Sequence, residues 1–372
     1  WGRLGMKSEW KTSPLRDLVG FISKGIAPSY ADEESETTIR VLNQKCNRNF
    51  RITYSESRLH DLSRKKVPAE RFVRIDDILI NSTGAGTAGR IAQICNLPCD
   101  TIVDGHMIII RANNKVSQKY LGYAMKAHQW EVLQLDEGST GQTELNRERL
   151  LDEIMISYPT SFALQEMIVK TLEGIDRKLL INEKVNDNLQ QQAAAIFRSW
   201  FVDCAPFGGK APDEWENVTL EDITALVSRG ITPKYADDTD QIVINQKCIR
   251  NHMIDLSLAR THTPKVINEK WLRFGDLLIN STGDGTLGRA AQVWFQPKNL
   301  TVDSHVTIVR PAKENLIFYI GLWGILHEKE IESLHIGSTG QTELPRDRVK
   351  TMELRLPDND TLDRFNALIT PK

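Results

Sequence analysis

The longest regular pattern of apolar residues lies in the middle of the chain. From Leu164 to Trp200 the heptad positions, at steps of three or four, are apolar apart from two asparagines, and no proline interrupts them. This spacing over about five heptads is typical of a coiled coil. We therefore predict a helix of about 40 residues, roughly 60 Å long at a rise of about 1.5 Å per residue. The alternative is an ordinary core helix, although such helices rarely run so far. The candidate partner contacts of this seam are Ile168, Leu172, Ile175, Leu179, Leu189 and Ile196.

On either side of this segment, short β-rich runs are mixed with helical ones. The run IVDGHMIIIR, residues 102–111, predicts strands, whereas the spacing over 120–135 predicts a helix. The corresponding run LTVDSHVTIVR, residues 300–310, is again rich in β-branched residues. The predicted fold class is therefore α+β, with two homologous mixed α/β domains joined by one long coiled-coil helix.

Several blocks of sequence occur twice, in the same order. They are SKGIAPSYA at 23 and SRGITPKYA at 228, NQKC at 43 and 245, ILINSTGAGTAGR at 78 and LLINSTGDGTLGR at 277, VDGH at 103 and VDSH at 302, and GSTGQTEL at 138 and 337. The number of residues that separates a block from its copy decreases only between blocks, as deletions in loops would cause. One module is therefore duplicated. The predicted domains are 10–159, the central helix 160–205, the second domain 206–357, and 358–372 as the start of a second long helix that ends early.

The repeated glycine block formally matches a dinucleotide-binding fingerprint. Such a site needs a helix directly after the last glycine, because the pyrophosphate lies on the helix N-terminus. Here Ile91 begins a short β-like run that ends before Pro98. A P-loop is also disfavoured, since Gly89 is followed by Arg90 and not by Lys and Ser or Thr. We predict a strand, a glycine turn and a second strand, with the glycines allowing close backbone approach.

Candidate catalytic and metal-binding groups are sparse. Asp104 and His106 recur in the second copy, but no nucleophile elbow or HExxH motif accompanies them. A buried structural Asp–His pair is the favoured interpretation. The five cysteines are scattered, and Cys95 and Cys99 lack a second Cys or His pair at zinc-finger spacing. We expect reduced thiols in a cytoplasmic protein, with no metal and no catalytic residues.

Positive charge is concentrated in one segment of each copy, although the net charge of the chain is only −2. Residues 40–74 carry ten Lys and Arg against three acids, and 241–274 carry six against two. Such segments can neutralise phosphates, and Asn or Gln can recognise adenine edges, although a solvated basic face is the alternative. The candidate DNA-binding residues are Asn43, Gln44, Lys45, Arg48, Ser82, Thr83 and Arg90, with Asn245, Gln246, Lys247, Arg250, Ser281, Thr282 and Arg289 in the second copy.

The whole arrangement resembles the specificity subunit of a Type I restriction-modification system. The resemblance depends on two modules joined by a long helix, on the repeated STGxGTxGR and GSTGQTEL blocks, and on the start of a second helix. It implies two target recognition domains, each recognising one half of a split double-stranded DNA sequence, with the helix fixing their separation. It also implies a non-catalytic subunit that binds two methyltransferase subunits, on which S-adenosylmethionine is expected, and restriction subunits for cleavage.

One departure from that family concerns the second long helix. In the family the two helices pair antiparallel, whereas here the second is a short stub. Two alternatives follow: the second helix is truncated, or the long helix pairs with another chain, such as a second copy. A different class of function is a protein-interaction scaffold that dimerises through the long helix without DNA. No apolar run approaches the roughly 18 residues needed to span a bilayer, so no membrane partner is expected.

Overall fold

The computed structural model describes residues 9–84, 86–137, 144–283, 285–337 and 342–370. The chain divides into two compact units, Trp1–Ile181 and Asn182–Lys372. The predicted mixture of helices and strands on either side of a long helix is confirmed. Among the described residues, no helix has both the length and the apolar character required to cross a bilayer.

The first unit contains most of the elements expected from the strand-like runs. Its strands are β1 (Trp10–Pro14), β2 (Val19–Lys24), β3 (Tyr30–Ala31), β4 (Thr38–Leu42), β5 (Asn47–Arg48), β6 (Arg51–Ile52), β7 (Arg58–Asp61), β8 (Ile78–Asn81), β9 (Ile91–Gln93), β10 (Thr101–Val103), β11 (Met107–Ala112), β12 (Asp136–Glu137), β13 (Glu144–Leu145) and β14 (Met155–Pro159). Its helices are α1 (Gln118–Ala127), α2 (Gln129–Val132), α3 (Arg147–Glu153) and the first part of α4 (Phe162–Phe197).

Two four-stranded sheets and several strand pairs make up the first module, which we define as β1 to β14. One sheet is antiparallel in the order β2-β11-β8-β9, and the other has the order β10-β4-β7-β3, with β10 parallel to β4. The first strand pairs with the last, because β1 is antiparallel to β14. Residues distant in sequence therefore hold the module together.

The continuous apolar runs of β8 and β11 are explained by burial on both faces of the sheet. Alternation along a strand sends Ile78 and Ile80 to one side, where they pack with Leu121 of α1. The intervening Leu79 faces the other side and packs with Val103 of β10. A strand covered on both faces contains apolar residues at consecutive positions, as here.

The second unit repeats this arrangement, and its second module is defined as β15 to β25. The strands are β15 (Glu216–Thr219), β16 (Thr224–Arg229), β17 (Ile242–Ile244), β18 (Ile249–Arg250), β19 (Met253–Ile254), β20 (Arg260–Thr261), β21 (Leu277–Asn280), β22 (Ala290–Gln292), β23 (Leu300–Val302), β24 (Val306–Pro311) and β25 (Glu353–Leu356). The helices are α5 (Ile317–Leu326), α6 (Glu328–Ser333), α7 (Arg346–Lys350) and α8 (Asn359–Ile369). Its sheets have the orders β16-β24-β21-β22 and β20-β17-β23, and β15 pairs with β25.

The single helix predicted over 120–135 is instead two helices, α1 and α2, separated at His128. The break allows Gln129 to turn back, so that its Oε1 accepts a hydrogen bond from the Ile91 backbone N–H at 2.8 Å. The second module has the same break at His327, followed by a bond from the Ala290 N–H to Glu328 Oε1. In each module, a side chain at the start of α2 or α6 thus accepts the hydrogen bond of the first backbone N–H of β9 or β22.

The predicted long helix is confirmed as α4, which has 36 residues and continues into a π-helical turn, Arg198–Val202. At its start, the buried Gln165 donates to the Pro159 carbonyl at 2.8 Å and accepts from the Ser117 N–H at 2.7 Å. At its end, Phe197 is buried against Phe365 of α8.

The middle of α4 is exposed, which argues against an ordinary core helix. Ile175, Leu179 and Leu189 are each more than half exposed. Ile168, one of the seam residues, packs on the core of the first unit, and Ile196 packs on that of the second. The remaining seam residue, Leu172, is half-buried. Pairing of this seam with another helix stays a prediction.

Candidate nucleic-acid interface

The glycine turn between β8 and β9 is closed by its own hydrogen bonds. The Thr87 N–H donates to the Gly84 carbonyl at 2.9 Å, and the Arg90 guanidinium donates to the Gly86 carbonyl at 3.1 Å. Gly84 has φ +110°, and a Cβ there would lie 2.4 Å from Thr87 Oγ1. The turn leads directly into β9, so the predicted strand, turn and strand are confirmed. Arg289 donates to the Gly285 carbonyl in the same way at 2.8 Å.

The NQKC block forms a short 3₁₀ turn before the β5–β6 hairpin. Asn43 caps the turn, because its Oδ1 accepts from the Lys45 N–H at 2.8 Å, and its Nδ2 donates to the Glu56 carbonyl at 2.6 Å. Lys45 and Arg48 are exposed, and neither forms an ion pair with any residue that the structure describes. The same pattern holds for Asn245, which accepts from the Lys247 N–H and donates to the Leu258 carbonyl, and for the exposed Lys247 and Arg250.

Two consecutive residues with positive φ form the tip of this hairpin. Asn49 has φ 51° and Phe50 has φ 60°, which is the backbone of a type I′ turn. The tip in the second module consists of Asn251 and His252, with φ 50° and 59°. The hairpin is therefore the same tight structure in both modules, and it presents Arg48 on its surface.

The NQKC turn and the glycine turn contact each other, and we call the two together the turn cluster (residues 43–48 with 81–84 and 86–90, and 245–250 with 280–283 and 285–289). Asn81 Nδ2 donates to the Gln44 carbonyl at 3.1 Å, and Thr83 Oγ1 donates to Gln44 Oε1 at 3.3 Å. In the second module Asn280 donates to the Gln246 carbonyl at 3.1 Å. Sequence blocks about forty residues apart thus form one surface in each module.

The serine and threonine of the glycine block have internal roles. Ser82 is fully buried, and its backbone carbonyl accepts from the Leu145 N–H at 2.7 Å. Ser281 is also buried, and its Oγ lies 2.6 Å from Thr307 Oγ1. Thr83 Oγ1 is 2.7 Å from the Nδ1 atom of His106, and Thr282 forms the same contact with His305 at 2.7 Å.

Asp104 and His106 come together differently from the side-chain pair that we expected. Asp104 is buried, and its carboxylate accepts from the His106 backbone N–H at 2.9 Å, while the ring of His106 contacts Thr83. Burial raises the pKa of Asp104 above its ordinary value, and the hydrogen bond from His106 partly opposes that increase. Asp303 and His305 repeat this geometry at 2.9 Å. The aspartate orders a turn after the strand, consistent with a structural role.

No group of three His, Cys, Asp or Glu within the described ranges is arranged to hold a metal ion. A groove of about 670 Å³ lies in the first unit, and its basic residues are already engaged. Lys24 forms an ion pair with Glu144, and Arg71 donates to the Lys24 carbonyl. These contacts argue against an open anion site there. The GSTGQTEL blocks fall largely on 138–143 and 338–341, which lie outside the described residues.

A stacked tyrosine and arginine, not identified from the sequence, lies beside each turn cluster. The guanidinium carbon of Arg58 is 3.4 Å from the centre of the Tyr30 ring, and that of Arg260 is 3.6 Å from the Tyr235 ring. Both arginines are exposed. Tyr30 and Tyr235 lie in the first repeated block, and an Arg-x-His sequence follows in each copy. This repeated pattern is the sequence signal from which the stacked pair could have been identified.

Three comparisons with known proteins extend these observations. The family model for the Type I restriction modification DNA specificity domain matches residues 7–191, about half of the chain. A Type I restriction enzyme specificity subunit, MjaIX of Methanocaldococcus jannaschii, is 24% identical over 98% of this chain and 86% of its own length. The HindI specificity subunit of Haemophilus influenzae is 31% identical over 74 residues, covering 20% of this chain and 16% of the relative.

Among solved structures, the fold is similar to that of the Type I restriction-modification S subunit from M. genitalium. The TM-score is 0.54 at 13% sequence identity, and the match covers 99% of this chain and 90% of the other. At this identity the likeness concerns the fold alone. It extends over both modules and the helix between them, whereas the family model ends at residue 191.

Proposed function

This chain belongs to the Type I restriction-modification DNA specificity family, and from that premise we propose that each of its modules recognises one half of a split DNA target. Membership in that family makes the chain a non-catalytic DNA-recognition subunit. The observation that carries the proposal is the presence of the same turn cluster, with an exposed Lys and Arg, in both modules.

The exposed basic residues of the turn cluster suit contact with the phosphate backbone. Lys45 and Arg48 have no carboxylate partner among the described residues, so no internal ion pair has to be broken when DNA binds. Each phosphate that a Lys or Arg neutralises releases counterions, and this release drives binding at low salt. Phosphate contacts fix the position of the protein, whereas base contacts carry the sequence information. We assign Lys45, Arg48, Lys247 and Arg250 to the first role.

Other candidates act through the scaffold of the same surface. Asn43 is engaged in capping the turn, and Arg90 closes the glycine turn. Gln44 and Thr83 are half-buried and bonded to each other, so they position the exposed residues of the cluster. Ser82 is buried and supports the turn through its backbone.

We propose that protein partners cover the exposed apolar residues of α4. Ile175, Leu179 and Leu189 lie on the long helix, where each is more than half exposed. Two methyltransferase subunits, restriction subunits or a second copy of the chain are the partners implied by the family. S-adenosylmethionine belongs to the methyltransferase partner in this scheme, so the chain itself contributes recognition without chemistry.

The similarity of the modules also leads to a hypothesis about the target. The glycine turn, the NQKC turn and the hairpin tip have the same geometry in both. Related surfaces recognise related bases, so we expect two similar half-sites in a nearly palindromic split motif. Two unrelated half-sites would contradict this hypothesis without affecting the assignment of recognition.

Single-molecule methylation sequencing tests the proposed function directly. DNA would be taken from cells that carry the cognate methyltransferase, with and without this chain. We expect a split motif with methyladenine in both halves, present only when the chain is expressed. If modified sites appear equally without the chain, the recognition role is wrong.

A binding experiment tests the phosphate contacts. The double substitution Lys45→Ala and Arg48→Ala should reduce the dependence of log Kd on log salt concentration by roughly 2, because each lost contact removes about 0.9. Lys210→Ala is a matched control, since Lys210 is exposed and paired with Asp213. An unchanged affinity and slope for the double variant would remove these residues from the interface.

A further inference from the structure

We propose that the Tyr30–Arg58 and Tyr235–Arg260 stacks are base-reading elements, in which each arginine donates to the major-groove edge of a guanine in one half-site. The inference rests on the proposed function and names the residues that supply its specificity. It assigns the sequence-reading part of the interface, whereas Lys45 and Arg48 were assigned to phosphates.

The two stacks are built by the same strand register. Tyr30 pairs with His60, which places Arg58 two residues earlier on the same strand face. In the second module Tyr235 is bridged to His262, and Arg260 again lies two residues earlier. The Arg therefore reaches the ring along the diagonal of an antiparallel pair in both modules.

This register has been kept although the intervening sequence differs in length and content. Tyr30 and Arg58 are 28 positions apart, whereas Tyr235 and Arg260 are 25 apart. The hairpin tip between them changes from Phe50 to His252. A deletion of three residues has thus left the stacked pair intact. Both modules therefore present the same stacked guanidinium despite this difference.

The stack is tied to the turn cluster by one hydrogen bond in each module. Asn43 Nδ2 donates to the carbonyl of Glu56, two residues before Arg58, at 2.6 Å. Asn245 Nδ2 donates to the carbonyl of Leu258, two residues before Arg260, at 3.3 Å. The strand that carries the arginine is therefore held beside the basic turn. A DNA backbone bound at that turn brings base edges close to the arginine.

The chemistry of a stacked arginine suits guanine. A ring against one face of a guanidinium limits its rotation, and the donors lie in the guanidinium plane, where a base edge can meet them. Arg58 is exposed and forms no ion pair with a described residue. Two parallel N–H donors match the O6 and N7 acceptors of guanine, which is the commonest specific arginine contact in DNA. A phosphate could also accept two N–H bonds from the arginine. The experiment must therefore distinguish a phosphate acceptor from a guanine acceptor.

The test compares methylation motifs from cells that carry the cognate methyltransferase with chains containing Arg58→Lys, Arg260→Lys or neither substitution. Lysine keeps the charge but lacks the planar pair of donors. We expect Arg58→Lys to relax one guanine position in one half-site, with roughly a 10- to 100-fold loss of preference, while the other half stays unchanged. Arg260→Lys should do the same in the opposite half. Tyr30→Phe, which keeps the stacking ring, should leave the motif intact.

Arg64→Lys is the matched control, because Arg64 lies in the same basic segment but is paired with Asp61 at 3.1 Å. An unaltered motif with uniformly weaker methylation would assign the arginines to phosphates and overturn the inference. An unaltered motif at full strength would also overturn it. If the unsubstituted chain directs no split motif, the proposed function itself fails, so the two failures are distinguishable. Should one variant not accumulate, its counterpart in the other module provides the same test.

Discussion

Asn47 in the first module and Ile249 in the second occupy the same place, at the start of the hairpin beside the glycine turn, and both are fully buried. Asn47 donates to Asn81 Oδ1 at 3.1 Å and to the Arg90 carbonyl at 2.9 Å. In the second module, Asn280 Oδ1 has no hydrogen-bond partner among the described residues. One module therefore links its two turns with an extra polar contact, and the other fills the same space with hydrocarbon.

What the two modules share is the bond from the asparagine Nδ2 to the carbonyl of the NQKC turn. Its length is 3.1 Å from Asn81 to Gln44 and 3.1 Å from Asn280 to Gln246. The comparison teaches that the modules keep this bond and the geometry of the turn cluster although the buried side chain beneath it differs. The following variants test which shared or divergent contacts the modules depend on.

The largest effect is expected at a buried ion pair that both modules contain. Arg111 and Asp77 form two hydrogen bonds, as do Arg310 and Asp276. Arg310→Met would leave a buried carboxylate without its partner, at a cost of about 3–5 kcal/mol in the free energy of unfolding. Urea unfolding followed by circular dichroism measures this loss. Arg111→Met should cost somewhat less, since Arg111 is the more exposed of the two arginines (12% against 7%).

A loss confined to one of these variants would show that the modules do not use the pair equally. Lys210→Met is the control for removing a cation, because both side chains of the Lys210–Asp213 pair are largely exposed. That substitution should leave the unfolding transition unchanged.

An intermediate effect is expected at the glycine that follows the second strand of each module. A Cβ on Gly25 would lie 2.1 Å from the Asp104 carbonyl oxygen, and one on Gly230 would lie 2.0 Å from that of Val302. Backbone atoms cannot move aside cheaply, so Gly25→Ala should cost about 1–3 kcal/mol in thermal unfolding experiments. Gly174→Ala is the matched control, since nothing lies near it on α4, and it should stabilise the helix by about 1 kcal/mol. Equal stability of Gly25→Ala and the unsubstituted chain would contradict the close approach.

The smallest effect concerns the divergent position itself. Asn47→Ile exchanges a buried amide for the residue that the second module carries, and it removes both donors of Asn47 together with its own unpaired Oδ1. The substitution leaves Asn81 Oδ1 unpaired, as Asn280 Oδ1 already is in the second module, and the buried hydrocarbon that it adds offsets part of that cost, so we expect a net loss of about 1 kcal/mol. Asn47→Ala should be worse, since it leaves a cavity in addition to the unpaired Asn81 Oδ1 that both variants share. A large loss for Asn47→Ile would show that the first module needs its polar link.

The elements that the sequence made predictable are those with strong local signals. The heptad pattern predicted α4, and the apolar run before Asn81 with the short run after Arg90 predicted β8 and β9. Repetition of the blocks predicted two copies of one module, and the four-stranded sheets β2-β11-β8-β9 and β16-β24-β21-β22 have equivalent orders. The helix break at His128 could not be predicted, because it depends on a bond from Ile91 to Gln129 that spans 38 residues.

The candidate site was predictable only in part, for the same reason. The basic segments identified Lys45 and Arg48 as exposed charges, and their position in the turn cluster agrees with that expectation. Asn43 and Arg90 have suitable chemistry for DNA but are engaged in closing turns, which composition does not reveal. The stack of Arg58 on Tyr30 arises from the register of β3 and β7, and register is a tertiary property.

The pairing of β1 with β14 has a consequence for synthesis of the protein. Thr12 and Ser157, which contact each other across this pair at 2.8 Å, are 145 residues apart in the chain. A ribosome adds residues one at a time, so the first strand must wait, unpaired, until nearly the whole module has emerged. Contacts this distant in sequence also slow folding. The first module therefore closes only after β14 has left the ribosome, and β15 then begins the same wait for β25.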